Sequence, residues 1–246
     1  MIKAKHNKAL VLFFDILFMF LIRKNFRKMQ IIHDLGPDKG PVLLIANHFS
    51  WWDGFIAQRV NNLVFKRKMH VMMLEEELQE RPFLRKLGAF SIRKGSRGAL
   101  DSLHYASEIL TRPQNLLLLF PQGRFESTHR YPVNFEKGWF RILEKAPANT
   151  RIVFMASLCD YFEYRKPSLN VYLKPAGHFC DSTGKTGAQA GSPDRDSAGK
   201  TDIQPGGPEG RYFFADAASA EQAYNRFLKE SIEAQEQEAS GRFRTD

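Results

Sequence analysis

A histidine and an aspartate able to work on one proton stand five residues apart in Asn47-His48-Phe49-Ser50-Trp51-Trp52-Asp53. A carboxylate that accepts from one imidazole nitrogen fixes the ring's tautomer and stabilises the imidazolium. The other nitrogen is then free to take a proton from a substrate hydroxyl. On one continuous helix two residues at this spacing would not share a face, so a turn must intervene. Taken alone, such a pair more often serves structure than chemistry. Metal chemistry finds fewer candidates. His6, His33, His48, His70, His104, His129 and His178 lack close His or Cys partners at ligand spacing, and no metal site is expected. Cys159 and Cys180 form no CxxC pair and read as free thiols in a reducing compartment.

Positioning the pair requires a strand that delivers His48 and a helix that begins near Asp53. Pro41–Ala46 (PVLLIA) is a short buried strand, and Asp53–Leu63 reads as helix. Lys68–Leu74 and Ala89–Ile92 read as strands around Glu75–Leu87, a helical stretch broken or restarted by Pro82. Gly98–Leu110 is an amphipathic helix with Leu100, Leu103, Ile109 and Leu110 expected inward. Asn115–Phe120, Arg151–Leu158 and Leu169–Leu173 are further strands, and Phe135–Lys145 is expected to be helical. Asp216–Ala239 returns to helix, with Ala220, Tyr224, Phe227, Leu228 and Ile232 recurring on a docking face. Short continuous apolar strands alternating with helices predict an α/β fold: a mixed, mainly parallel sheet covered by helices on both faces.

The 246 residues suit one large domain. A composition 43% hydrophobic and 26% charged supports a packed core. The net charge of +9 favours an anionic partner, either nucleic acid or an anionic lipid surface, or serves solubility alone. No nucleic-acid motif is present, and no nucleic-acid partner is expected. Ala9–Ile22 (ALVLFFDILFMFLI) is too short to span a bilayer, carries Asp15 at its centre, and is flanked by Lys8, Arg23, Lys24, Arg27 and Lys28. An amphipathic helix lying in a membrane interface fits it best, and a buried core helix is the alternative.

Four segments in order carry a family resemblance. Asn47-His48-x4-Asp53 resembles motif I of the PlsC-like glycerolipid acyltransferases. Glu77-Leu78 with Arg81-Pro82-Phe83 resembles the family's Glu-Leu…Pro-Phe stretch. Gly88–Lys94 resembles motif II, and Phe120-Pro121-Gln122-Gly123 resembles the Phe-Pro-Glu-Gly core of motif III. The resemblance covers roughly residues 35 to 175. It implies transfer of a fatty acyl group from acyl-CoA or acyl carrier protein to a hydroxyl of a lysolipid-type acceptor, with His48 as base and Asp53 as its orienting partner. No bound cofactor is implied.

Asn47, Arg93, Lys94, Gln122, Gly123 and Arg124 are the expected substrate-binding residues. Gln122 stands where the family usually has Glu, and Arg124-Phe125-Glu126-Ser127 replaces the usual Thr-Arg-Ser. Those departures point to an acceptor other than lysophosphatidic acid. A non-catalytic lipid- or acyl-binding protein of the same fold is the competing reading. The expected organisation is a membrane-associating helical segment at 1–34, the acyltransferase domain at 35–180, a flexible Gly/Ser/Pro-rich insert at 181–212 and a packing helix at 213–246. The expected location is peripheral or monotopic, on the cytoplasmic face of the cell membrane.

Overall fold

The structure, a computed structural model, describes residues 1–36, 39–93, 97–128, 130–136, 138–178, 214 and 216–242. Lys94, Cys180 and the 181–212 insert therefore lie outside the described residues.

Seven strands form one sheet in the order β1-β7-β6-β2-β5-β3-β4. These are β1 (Lys28–His33), β2 (Val42–Ala46), β3 (Lys68–Leu74), β4 (Ala89–Ile92), β5 (Asn115–Leu119), β6 (Arg151–Asp160) and β7 (Ser168–His178). Every neighbouring pair is parallel except β6 with β7. The central strands β2 and β5 are VLLIA and NLLLL, buried at every position. That run of apolar residues without alternation is what a strand covered on both faces requires.

Helices α1 (Lys8–Asn25) and α2 (Asp53–Val60) cover one face. There Ile22, Phe26, Ile56, Ala57 and Val60 pack on Val42, Leu44, Leu116 and Leu118. Helices α4 (Arg97–Leu110), α5 (Arg141–Glu144) and α6 (Ala217–Arg242) cover the other, where Leu103, Ile142, Tyr224 and Phe227 meet Leu43, Ile45, Leu117 and Phe154. Alternate residues of the same strands thus serve two cores, as the period of two demands. Pro82 ends the short helix α3 (Glu75–Glu80), and the chain restarts as a 3-10 turn at Pro82–Leu87. Gly88 then turns with φ +108° into β4. A Cβ there would meet the Met69 carbonyl at 2.3 Å, so this bend needs glycine.

Three expectations change. Lys28–His33 is a strand although its mixed sequence KMQIIH gave little sign of one. It is the edge strand, paired only to β7, so half-exposed residues suffice. Phe135–Lys145 is regular helix only over Arg141–Glu144, because Gly138 takes φ +98° in a turn just before it. Leu100 faces solvent at 51% exposure, while Leu103, Ile109 and Leu110 do point inward.

Helix α1 has two apolar faces. Phe18 and Ile22 are buried, whereas Leu12, Phe13, Ile16 and Phe20 are each more than half exposed. Core packing and an uncovered apolar surface thus coexist on one helix. No helix among the described residues is long and apolar enough to cross a membrane.

Candidate active site

Strand β2 runs parallel to β5 with Ile45 opposite Leu119. The segments that follow, 47–53 and 120–126, therefore leave the sheet side by side. In open α/β sheets this is where ligands bind, beyond the carboxyl ends of the strands.

Asn47 comes first. Its amide donates to the Ser157 carbonyl at 2.9 Å and accepts from the Ser157 N–H at 2.8 Å. This buried two-way clamp ties the end of β2 to β6. Tyr224 of α6 braces the same place from behind, fully buried, with its hydroxyl donating to the Met155 carbonyl at 2.8 Å. Asn47 thus contacts β6, and its part lies in holding the loop.

After the clamp the chain turns. Asp53 is wholly buried in the first turn of α2, an end of the helix that favours a carboxylate. Its Oδ2 accepts from the Phe49 N–H at 2.7 Å, the Ser50 N–H at 2.9 Å and His48 Nδ1 at 2.8 Å. One oxygen therefore gathers the turn and the imidazole together. Burial pushes the Asp53 carboxyl above its ordinary range, and its hydrogen bonds from His48, Ser50 and Phe49 counter only part of that. The His48 ring lies between two phenylalanines, with centroids 4.1 Å from Phe120 and 4.2 Å from Phe125. With Nδ1 committed to Asp53, Nε2 is the nitrogen left for a substrate, and His48 lines the adjoining cavity.

That cavity, about 430 Å³, is mainly apolar. Part of its wall comes from α1 and α2, through Val11, Phe14, Phe18 and Phe55, and part from the other face, through Leu103 and Trp139. Trp139 is buried, and its indole N–H has no partner among the described residues. Polar groups interrupt the apolar lining, among them Asp15, Gln58, Arg59 and Asn62. Asp15 accepts from the Gln58 amide at 3.1 Å, and burial raises its carboxyl pKa.

The second segment supports the first. Gln122 is buried, 5% exposed, and absent from the cavity wall. Its Oε1 accepts from the His48 N–H at 2.7 Å, and its Nε2 donates to Glu126 Oε2 at 2.7 Å. The Glu126 N–H in turn donates to the His48 carbonyl at 2.8 Å. Gln122 is thus spent inside the protein, holding the His48 loop. Gly123 turns with φ +65°, where glycine is favoured, and borders the cavity. Arg124 also borders it, at 2.9 Å from Glu126 Oε1, and Arg130 reaches the same oxygen at 3.3 Å.

Arg93 pairs with Glu75 and does not line the cavity. The structure therefore gathers His48, Gly123 and Arg124 at one cavity, sets Asp53, Asn47 and Gln122 buried behind them, and leaves Arg93 at the side. Arg130 and Trp139 belong to the site and were not singled out from the sequence, while Phe125 and Glu126 were marked only as part of the altered segment after Gly123. The sequence marked Glu126 as a departure from the family pattern but gave no sign that it would bind Gln122. His6 and His70 prove to be neighbours, with ring centroids 4.6 Å apart. No group of three or more His, Cys, Asp or Glu that could hold a metal ion occurs among the described residues.

This arrangement can perform general-base chemistry beside an apolar chamber. No curated protein matches the chain. The family model described as Acyltransferase matches residues 22–157, more than half of the chain and all of the loop, turn and strand ends just described, and the protein belongs to the family of PlsC-like acyltransferases.

Proposed function

We propose that this acyltransferase moves a fatty acyl group from acyl-CoA or acyl carrier protein to a hydroxyl of a lysolipid-type acceptor at a lipid surface. One observation carries the reading: an imidazole oriented by a buried carboxylate opens onto an apolar cavity of about 430 Å³. A long acyl chain is what such a lining would take up.

His48 Nε2 removes the proton from the acceptor hydroxyl as its oxygen attacks the thioester carbonyl. Asp53 steadies the imidazolium that forms. The tetrahedral intermediate collapses, the carbon–sulfur bond breaks, and the departing thiolate takes the proton from His48. The ester and the free thiol are the products, and no acyl-enzyme is needed. Asn47 and Gln122 hold the loop in register during these steps.

The exposed row Leu12, Phe13, Ile16 and Phe20, with Arg23 and Lys24 in the last turn of the same helix, supports peripheral or monotopic association with an anionic bilayer. The cytoplasmic face is the side on which the thioester donors are met. Arg124 and Arg130 are already engaged by Glu126, which favours an acceptor head other than a phosphate monoester. The test is incubation of purified protein with radiolabelled acyl thioester and a total lipid extract, followed by identification of the labelled lipid. Labelled ester supports the proposal. Thioester bound without release of thiol would turn the reading to a binding protein.

A further inference from the structure

We propose that Gln122 and Glu126 form one positioning unit for His48, in which a carboxamide at 122 and a carboxylate at 126 are both required and must complement each other. The inference rests on the acyl-transfer reading and deepens it. Three bonds close a ring around the His48 peptide: His48 N–H to Gln122 Oε1, Gln122 Nε2 to Glu126 Oε2, and Glu126 N–H to the His48 carbonyl. Both polar atoms of the His48 backbone are therefore held by the 122–126 segment, while its ring is held by Asp53.

The orientation of the Gln122 amide is forced. A backbone N–H can only donate, so it must face the amide oxygen. A carboxylate paired with two guanidiniums can only accept, so it must face the amide nitrogen. Glu126 is 9% exposed, and among the described residues its charge is met by Gln122, Arg124 and Arg130. Burial raises the Glu126 carboxyl, and the Gln122 amide with Arg124 and Arg130 outweighs it, so the group sits below its ordinary range. The ring is thus built around an ionised Glu126.

A glutamate at 122 would accept from His48 as well as glutamine does. Its second oxygen would then stand against Glu126 Oε2 across the 2.7 Å now closed by a hydrogen bond. Two carboxylates at that separation share a proton or part. Exchanging the two residues avoids the conflict. In Gln122→Glu with Glu126→Gln, the new carboxylate accepts from His48 and from the new amide, whose oxygen accepts from the arginines. Every donor keeps an acceptor.

The experiment compares wild type, Gln122→Glu, Glu126→Gln and the double variant, using a long-chain acyl-CoA with a total lipid extract from pH 5.5 to 8.5. Gln122→Glu should hold kcat within about threefold of wild type at pH 5.5 and fall on the order of tenfold or more below it by pH 8.5. KM for the thioester should change little, because neither residue lines the apolar wall. Glu126→Gln alone should be low at every pH, since its amide cannot face both Gln122 Nε2 and the arginines with an acceptor. The double variant should exceed both single variants and lose the pH dependence. A double variant no more active than the weaker single one overturns the proposal, as does Gln122→Glu tracking wild type at every pH. Melting temperature against pH should show the same pattern without any substrate. If wild type transfers no acyl group but the melting temperatures follow that order, the acyl-transfer reading fails and the positioning unit stands.

Discussion

Replacing Asp53 by asparagine should cost less activity than replacing it by alanine, and the structure says why. Asp53 Oδ2 is bound by three N–H groups, two of them from the backbone of Phe49 and Ser50. Those two cannot turn away. An asparagine must therefore set its oxygen at the Oδ2 place, which keeps the bond from His48 Nδ1–H and leaves Nε2 as the base. Its NH2 falls where Oδ1 now lies buried with no partner among the described residues. One unsatisfied buried atom is exchanged for another, so stability should move little.

What is lost is charge opposite the imidazolium. A hydrogen bond to a charged group contributes about 1.5–3 kcal/mol against about 1 kcal/mol for a neutral one. The difference, on the order of 1–2 kcal/mol, is about 5- to 30-fold in kcat. Alanine removes the acceptor from all three donors and should cost on the order of 100- to 10,000-fold, the range for losing an oriented base. The assay is thiol release from a long-chain acyl-CoA in the presence of lipid acceptor, with melting temperature measured in parallel. Asparagine as damaging as alanine in a folded protein would refute the argument that the backbone donors fix the amide. Asparagine equal to wild type would refute the role of the charge.

His48→Ala should lower turnover about 100- to 10,000-fold while the melting temperature stays near wild type, because the loop is anchored through its backbone; thiol release and calorimetry check both. Phe13→Ser with Phe20→Ser should weaken co-sedimentation with anionic vesicles without lowering the melting temperature, since both rings are more than half exposed; unchanged pelleting would place the anchor elsewhere. His70 is 6% exposed, and burial together with the charges of His6 and Lys68 lowers its pKa to about 3. Its neutral form is retained in the folded chain while the unfolded chain takes up a proton below the ordinary 6.5. Stability from this group is whole above that pH and declines as the pH falls toward 3, by roughly 5 kcal/mol in all. His70→Gln should flatten this acid limb in urea unfolding.

The sheet was legible because its strands are short apolar runs with clear ends. Lys68–Leu74 and Ala89–Ile92 take the bounds that their sequence predicts. Edge strand β1 was not, because its burial is settled by β7, 140 residues away at Lys28 and Ser168. The 135–145 stretch kept its apolar residues inside without regular helix: Trp139, Ile142 and Leu143 are buried. Hydrophobic spacing reports which residues go in, and a turn at Gly138 can satisfy it as well as a helix can.

At the site, the spacing of His48 and Asp53 with a turn between them was enough to predict their meeting. The role of Gln122 was not, since its partners are a backbone N–H reached across two strand ends and a carboxylate four residues on. A side chain's type tells what it can bind; only its direction tells whether that is substrate or scaffold.

Helix α1 has one further consequence. Val11, Phe14, Phe18 and Met19 line the cavity, while Leu12, Phe13, Ile16 and Phe20, interleaved with them, face outward. A single rigid rod thus separates the chamber from whatever covers the outer row. Any tilt or slide that suits the outer row also reshapes the chamber, so the two occupancies share one coupling free energy. By reciprocity, if a bilayer on the outer row tightens acyl-chain uptake by some factor, a bound chain must tighten bilayer attachment by that same factor. Vesicle affinity measured with and without an acyl thioester would therefore report the gating of the chamber without following the reaction at all.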